Sequence, residues 1–441
     1  IESHNMFNDL KSPKTARREI LRSMVGGSLL MPGLLSQLMA DDADTDPLSP
    51  KQPHFPAKAK QVIFVFSNGG VSHMDTFDHK PTLFKADGKM MGTGGGLSNK
   101  QRVLLKPLWQ FQPGGECGTL VSDLFPCLRE HMDDICLIKS MNGNDNEHYN
   151  ATLGMHTGSF FFSRPSIGSW VSYGLGTANQ NLPSFIALAP QMPYAGTQIF
   201  NNDFLPAYHQ GVRVAGGKEP IANLNRRTTQ RGLQELELGL ADVLNNRHLK
   251  ERTGDGDLSA RIRSFETAFH MQSDAPEAFD VGKESDDTLA MYGLKRGESE
   301  GFGWQCLVAR RLAERGVRFI ELVDGSSSHN WDQHGNMAEH ADHAKVIDQP
   351  LAGLLQDLKD RGMLEETLVV WTTEFGRTPG VDGDKGRGHH SACFSSWLAG
   401  AGVKGGISYG STDEIGATVA ENGVHVHDFH ATILHLLGID H

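Results

Sequence analysis

In Gln61-Val-Ile-Phe-Val-Phe66 every residue after Gln61 is apolar, a run of strand length closed by Gly69-Gly70. Runs without alternation suit strands buried on both faces of a parallel sheet. Ile135 to Ile138, Phe185 to Leu188 and Leu368 to Trp371 share the pattern, and Phe319 to Val323 is similar but for Glu321. Helical spacing separates them. Trp304 to Arg315 reads as an amphipathic helix stopped by Gly316, and Ala344 to Arg361 as another stopped by Gly362. The alternation predicts an α/β fold: a central, mostly parallel sheet with helices on both faces. Leu224 to Met271 is polar with helical periodicity and predicts two helices of an insertion spanning about 224–300. Asn179 to Gln210 reads as loops around one strand, at the rim of a site.

The N-terminus has a different character. Arg17-Arg18 precedes a weakly apolar run from Met24 to Ala40, broken by Gly26, Gly27, Pro32 and Gly33. That run is too short and interrupted to span a membrane. Paired arginines, a weak apolar run and an alanine before Asp41-Asp42 resemble a twin-arginine export signal over residues 1–40. Residues 41–57 read as a linker, and the folded domain is expected over 58–441. This predicts an exported protein, periplasmic or extracellular, with the twin-arginine machinery as a partner and no membrane span once mature. A net charge of −12 argues against nucleic acid or an anionic membrane surface as the main partner.

Open parallel sheets bind ligands beyond the carboxyl ends of their strands. Asn68, Ser72, His73 and Asp75 follow the first strand, and Glu374 ends a later one. Three stretches concentrate donors: His329 to His334, Thr372 to Pro379 and Gly386 to His390. Carboxylates and imidazoles without thiols suit zinc first, then manganese or calcium. The expected ligand set is His73, Asp75, Asp332, His334, Glu374, His389 and His390. His73 and Asp75 are two apart and face one side if the segment is extended, as do Asp332 and His334. Adjacent His389 and His390 would face opposite sides, one toward metal and one toward substrate. Asn68, Ser72 and His329 are expected substrate contacts. The five cysteines show no CxxC pair; Cys117–Cys127 or Cys127–Cys136 could bridge in an oxidising compartment. Gly92 to Gly96 lacks the Lys-Ser/Thr ending of a phosphate loop.

Residues 61–78, with TTEFGRTP, GRGHH and VHVHDFHATILHLLGID, resemble a large family of exported bacterial proteins of unknown function, domain-of-unknown-function family 1501. That family sits in the alkaline phosphatase and sulfatase superfamily, and the resemblance runs from about Lys58 to His441. It implies an alkaline phosphatase-like three-layer sandwich and a sulfate- or phosphate-ester hydrolase. One or two divalent ions would sit at the carboxyl ends of the sheet. Leu368 to Glu374 is similar to the superfamily strand that ends Thr-Ser-Asp-His. Glu374 and Phe375 stand where that motif has its Asp and its His or Asn, which leaves the number of ions open.

Ordinary sulfatases carry Cys/Ser-x-Pro-Ser-Arg, whose first residue becomes a formylglycine nucleophile; this chain has none. Aligning the Thr157-Gly158 pair with the end of the sulfatase motif puts His148 at the nucleophile position. His148 is read as nucleophile or general base, as a metal ligand, or as a helix cap that orients water. A transferring group needs charge stabilisation on its oxygens. Arg377 is the first candidate clamp and Arg164 the second. The expected substrate is a small-molecule or carbohydrate ester, such as a sulfated sugar. Two rivals remain: a non-catalytic exported binding protein on the same fold, and a metal-dependent phosphotransferase.

Overall fold

Strands that are apolar at every position need cover above and below, and the sheet provides it. The computed structural model describes residues 47–91, 103–217, 219–221, 224, 231–252 and 256–441. The export-type segment 1–40, linker residues 41–46 and the Gly-rich 92–96 lie outside the described residues. Ile1–Ser49 and Pro50–His441 are separate units, and all that follows concerns the second.

The main sheet is built from β1 (Gln61–Ser67), β2 (Ile135–Asn142), β3 (Phe185–Leu188), β4 (Val212–Val214), β5 (Phe319–Asp324) and β6 (Thr367–Thr372). After β6 comes a separate antiparallel hairpin, β7 (Gly376–Asp382) and β8 (Gly386–His390). The sheet is completed by β9 (Phe394–Ala399), β10 (Ile407–Tyr409) and β11 (Val424–His425). The order is β10-β2-β9-β6-β1-β5-β3-β4, with β11 also on β2. Every described pairing in it is parallel except those of β9 with β2 and β6. In register, Val65 of β1 lies beside Leu322 of β5 and Trp371 of β6.

Alternate side chains of β1 enter two different cores. Ile63 and Val65 pack with α5 (Phe302–Glu314) and α6 (His340–Asp360), through Leu307, Leu312, Leu351 and Leu354. Val62, Phe64 and Phe66 pack on the opposite face with α1 (His148–Thr157), α2 (Ile167–Leu175) and α7 (Val426–Leu436). Each fully buried aliphatic or phenyl group contributes about 1.5–3 kcal/mol, so both layers are needed to hold β1 centrally. The expected three-layer α/β sandwich is observed. The segment expected to form a helical insertion contains α3 (Arg231–Glu251) and α4 (Gly256–Phe279). Among the described residues no helix is long and apolar enough to cross a membrane, and all five cysteines are free thiols.

Candidate metal centre

The loops after β1 and β5 cross in contact at the carboxyl edge of the sheet. A Cβ at Gly69 would stand 2.5 Å from the Trp331 backbone nitrogen and 2.8 Å from that of Asp332. Gly69 and Gly70 also have positive φ, 112° and 73°, a conformation that costs glycine little. The end of β6 catches the same loop. Glu374 Oε1 accepts from the Gly69 amide at 2.8 Å, and Thr373 Oγ1 from that of Val71 at 3.1 Å.

His148 enters from the first turn of α1. The Glu147 side chain caps that turn, accepting from the Tyr149 and Asn150 amides. The His148 ring is buried, stacked on Tyr194 with centroids 4.0 Å apart and bordered by Phe375 at 4.8 Å. Its Nδ1–H donates to Glu374 Oε1 at 2.8 Å, so Nε2 is left as the lone-pair atom. That Nε2 lies 3.2 Å from Asp332 Oδ2 and has no hydrogen-bond partner.

Two more imidazoles meet at Asp332. His334 Nε2 is 2.9 Å and His389 Nε2 3.2 Å from Asp332 Oδ1, and the two nitrogens are 2.9 Å apart. Their far nitrogens are tied. His389 Nδ1 donates to the Asn146 carbonyl at 2.7 Å, and His334 Nδ1 to Asp382 Oδ2 at 2.6 Å. A carbonyl can only accept, so His389 Nε2 must be an acceptor when the ring is neutral. Three imidazole lone pairs and a carboxylate therefore point at one another. Only cations reconcile them: protons on the rings, or a metal ion. Ligand atoms of His148, Asp332 and His389 all lie within 4.8 Å of one another. The set of nitrogen and oxygen donors, each imidazole oriented by an outer partner, fits a zinc-like divalent ion.

The electrostatics follow from this crowding. Burial works to raise the Asp332 carboxyl, but the close imidazoles of His148, His334 and His389, with the Arg377 guanidinium, hold it well below the usual carboxylate range. Burial disfavours charge on His148, yet Asp332 and Glu374 outweigh it and raise the imidazole above its ordinary value. Asp332, with Asp382, raises His334 against its partial burial.

The expected site residues divide sharply. Asp332, His334, His389, Glu374 and His148 come together, with Glu374 behind His148 rather than among the converging donors. His73 and Asp75 do not join them, because the glycine turn leads into a one-turn helix, His73–Thr76, instead of an extended segment. Asp75 is buried, accepting from Ser72 Oγ at 2.5 Å and pairing with Arg387 Nε at 2.7 Å. His73 Nε2 meets the Gly416 carbonyl at 2.9 Å. His390 turns away from His389, and its Nε2 meets the Ala417 carbonyl at 2.6 Å.

Arg377 does not present its guanidinium to an open site. It is buried, donating to the carbonyls of Gly69 and Gly70 and, at 2.7 Å, to Asp332 Oδ1. It fastens the loop crossing and orients Asp332. Asn68 and Ser72 are likewise buried: Asn68 bonds the Ser326 carbonyl at 2.7 Å, and Ser72 donates its amide to His340. Arg164 bonds its neighbour's carbonyl, Ser163 O, beside the Phe162 ring. His329 is exposed and lines a cleft that also reaches Asp332. Sequence reasoning missed Asp382 and Tyr194. Asp382 lies in the turn-like Asp382-Gly383-Asp384, which signals a bend and nothing of the imidazole it orients.

The profile described as "Protein of unknown function (DUF1501)" matches residues 59–441. The chain belongs to this family. No protein of curated description matches it. Among solved structures it is similar to the alkaline phosphatase of the Antarctic bacterium TAB5, at 11% identity and TM-score 0.34, covering 88% of this chain and 100% of that one. It is also similar to a sulfatase from Pseudoalteromonas sp., at 13% identity and TM-score 0.36, covering 92% and 70%. A phosphonate monoester hydrolase from Silicibacter pomeroyi matches at 11% identity and TM-score 0.35, covering 86% and 73%. Likeness this loose tells nothing of substrate.

Proposed function

We propose that this family member is a metal-dependent hydrolase of sulfate or phosphate esters that works without a formylglycine. The observation that carries the reading is the meeting of three imidazole Nε2 atoms at the Asp332 carboxylate, each ring fixed from behind. Asp332, His334 and His389 would hold the ion, zinc first. Bound there, it supplies Lewis acidity toward the ester oxygens and offsets charge that develops in the transition state.

His148 has a distinct task in this scheme. Glu374 keeps its proton on Nδ1, so Nε2 is free to take a proton from the attacking water, or to attack directly. Tyr194 and Phe375 flank the ring and keep water from its faces. Arg377 acts at one remove, through Asp332. The paired Arg17-Arg18 motif supports placing the enzyme outside the cytoplasm, exported by the twin-arginine route, on an ester such as a sulfated carbohydrate.

The test pairs metal content with turnover of aryl sulfate and aryl phosphate. Purified protein should carry zinc, and a joint His334→Ala and His389→Ala variant should lose it. His148→Ala should reduce turnover by at least ~100-fold, the lower scale for removing a general base. Full turnover in chelator, or normal metal content in the double variant, would sink the proposal.

A further inference from the structure

Beside the imidazole cluster lies a cleft of about 280 Å³ in which every lining residue is polar. Asp332 stands at its junction with the cluster, and His329, Gln333, Glu339, Asp342 and His343 line it. No lysine or arginine lines it. The sulfate or phosphate group therefore has no reason to sit here, and the absence of aliphatic and phenyl lining disfavours an oily or aromatic alcohol.

Its hydrogen-bonding character is biased. Glu339 and Asp342 are exposed carboxylates. Gln333 is buried, and its amide donates to the Asn330 carbonyl at 2.6 Å while its Oε1 has no partner. Burial pushes His343 down to about 4, so its ring brings no positive charge at neutral pH. Acceptors dominate, and they demand a donor-rich, non-anionic ligand. The frame is rigid. Trp331 Nε1 donates to Asp324 at 2.7 Å, Asn330 Nδ2 to Tyr194 Oη at 3.0 Å, and Asn68 to the Ser326 carbonyl from the neighbouring loop. A cleft fixed beforehand loses little entropy when it is filled.

We propose that this cleft is the subsite for the alcohol portion of the ester, and that it selects polyhydroxylated, sugar-like alcohols over aryl ones. The assignment rests on the ester-hydrolase reading above, and it deepens that reading by naming the leaving group. Hydroxyl donors would meet the exposed Glu339 and Asp342 carboxylates. An ammonium in place of one hydroxyl would bind more tightly still, which separates an amino sugar from a neutral one.

The experiment compares glucose 6-sulfate, glucosamine 6-sulfate and p-nitrophenyl sulfate, with the matching phosphates, on zinc-supplied full chain. A joint Glu339→Gln and Asp342→Asn variant, both at exposed positions, is run alongside. The sugar esters should be preferred over the aryl ester in kcat/KM. The variant should lose roughly 10-fold on the sugar esters, the scale of a hydrogen bond to a charged acceptor, and less than twofold on the aryl ester. Equal losses on both ester types, or an aryl preference in the wild type, overturn the subsite. If no ester is turned over, the hydrolase reading has failed, and the cleft is then judged by calorimetric binding of free glucosamine. Binding weakened by the variant keeps the cleft as a sugar site; binding unaffected by it removes the proposal.

Discussion

Two neighbouring groups of histidine and carboxylate have the same residue types and opposite surroundings. Around Asp332, lone pairs face lone pairs: His334 and His389 bring their Nε2 atoms within 2.9 Å of each other. Around His73 the pairings that form are complementary, although His73 Nδ1 and Asp75 Oδ1 are buried without partners. His73 and His390 each face a backbone carbonyl, and Asp75 faces the Arg387 guanidinium. The first arrangement sets acceptor against acceptor and calls for a cation, whereas in the second the contacts that form already match donor to acceptor. A histidine count or an i, i+2 spacing cannot separate them, because the distinction lies in which atoms the ring nitrogens meet.

The largest effect should come from the group that contains the buried Asp75–Arg387 ion pair. Asp75 and Arg387 have no side-chain exposure, and removing one partner strands a buried charge. Asp75→Ala should cost about 3–5 kcal/mol of stability, read by denaturant unfolding, while zinc affinity in the folded protein stays normal. His390→Ala should likewise leave zinc content unchanged. Zinc lost from either variant while it is still folded would mean that the two groups form one centre.

A smaller effect is expected at the junction of the two kinds of contact. Glu374→Gln keeps an acceptor for the Gly69 amide but removes the charge behind His148. Ester turnover should fall by about 10–100-fold, the usual range for groups that orient a metal-site imidazole. An unchanged pH–rate profile with normal turnover would show that Glu374 does not control that ring.

The smallest effect is a difference in sign. His148 and His334 are raised above 6.5 in the folded chain without metal. Their contribution to stability is complete below pH 6.5 and is lost as pH rises through the folded values. Chelated protein should therefore melt at lower temperature as pH climbs past neutrality. Zinc should stabilise it progressively more over the same range, as the competing protons leave. Parallel melting curves with and without zinc across that range would remove the imidazoles from the binding reaction.

Much of the scaffold could be read from residue order. Val62 to Phe66 and Leu368 to Trp371 are apolar at every position because helices cover both faces of β1 and β6, and that pattern survives in sequence. The direction of β9 does not. Phe394 to Ala399 carries no mark of running antiparallel between β2 and β6. Of the site, Asp332, His334 and His389 could be picked out because ligand chemistry restricts the residue types. The work of Arg377 and Asp75 could not. Their orientation follows from the positive-φ turn at Gly69-Gly70 and from burial, both set by contacts between segments more than 300 residues apart.

The crossing at Gly69 also fixes when the centre can exist. His148, the Asp332–His334 loop and His389 come from three separate parts of the chain, and Asp332 is aimed only once the loops after β1 and β5 lie against each other. Contacts so distant in sequence form late in folding, because loop closure must precede them. A growing chain or a truncated fragment ending before His389 would hold scattered imidazoles and no common focus. Zinc added during refolding should therefore leave the early phases unchanged and act only on the last step, as the lock on a frame that has already closed.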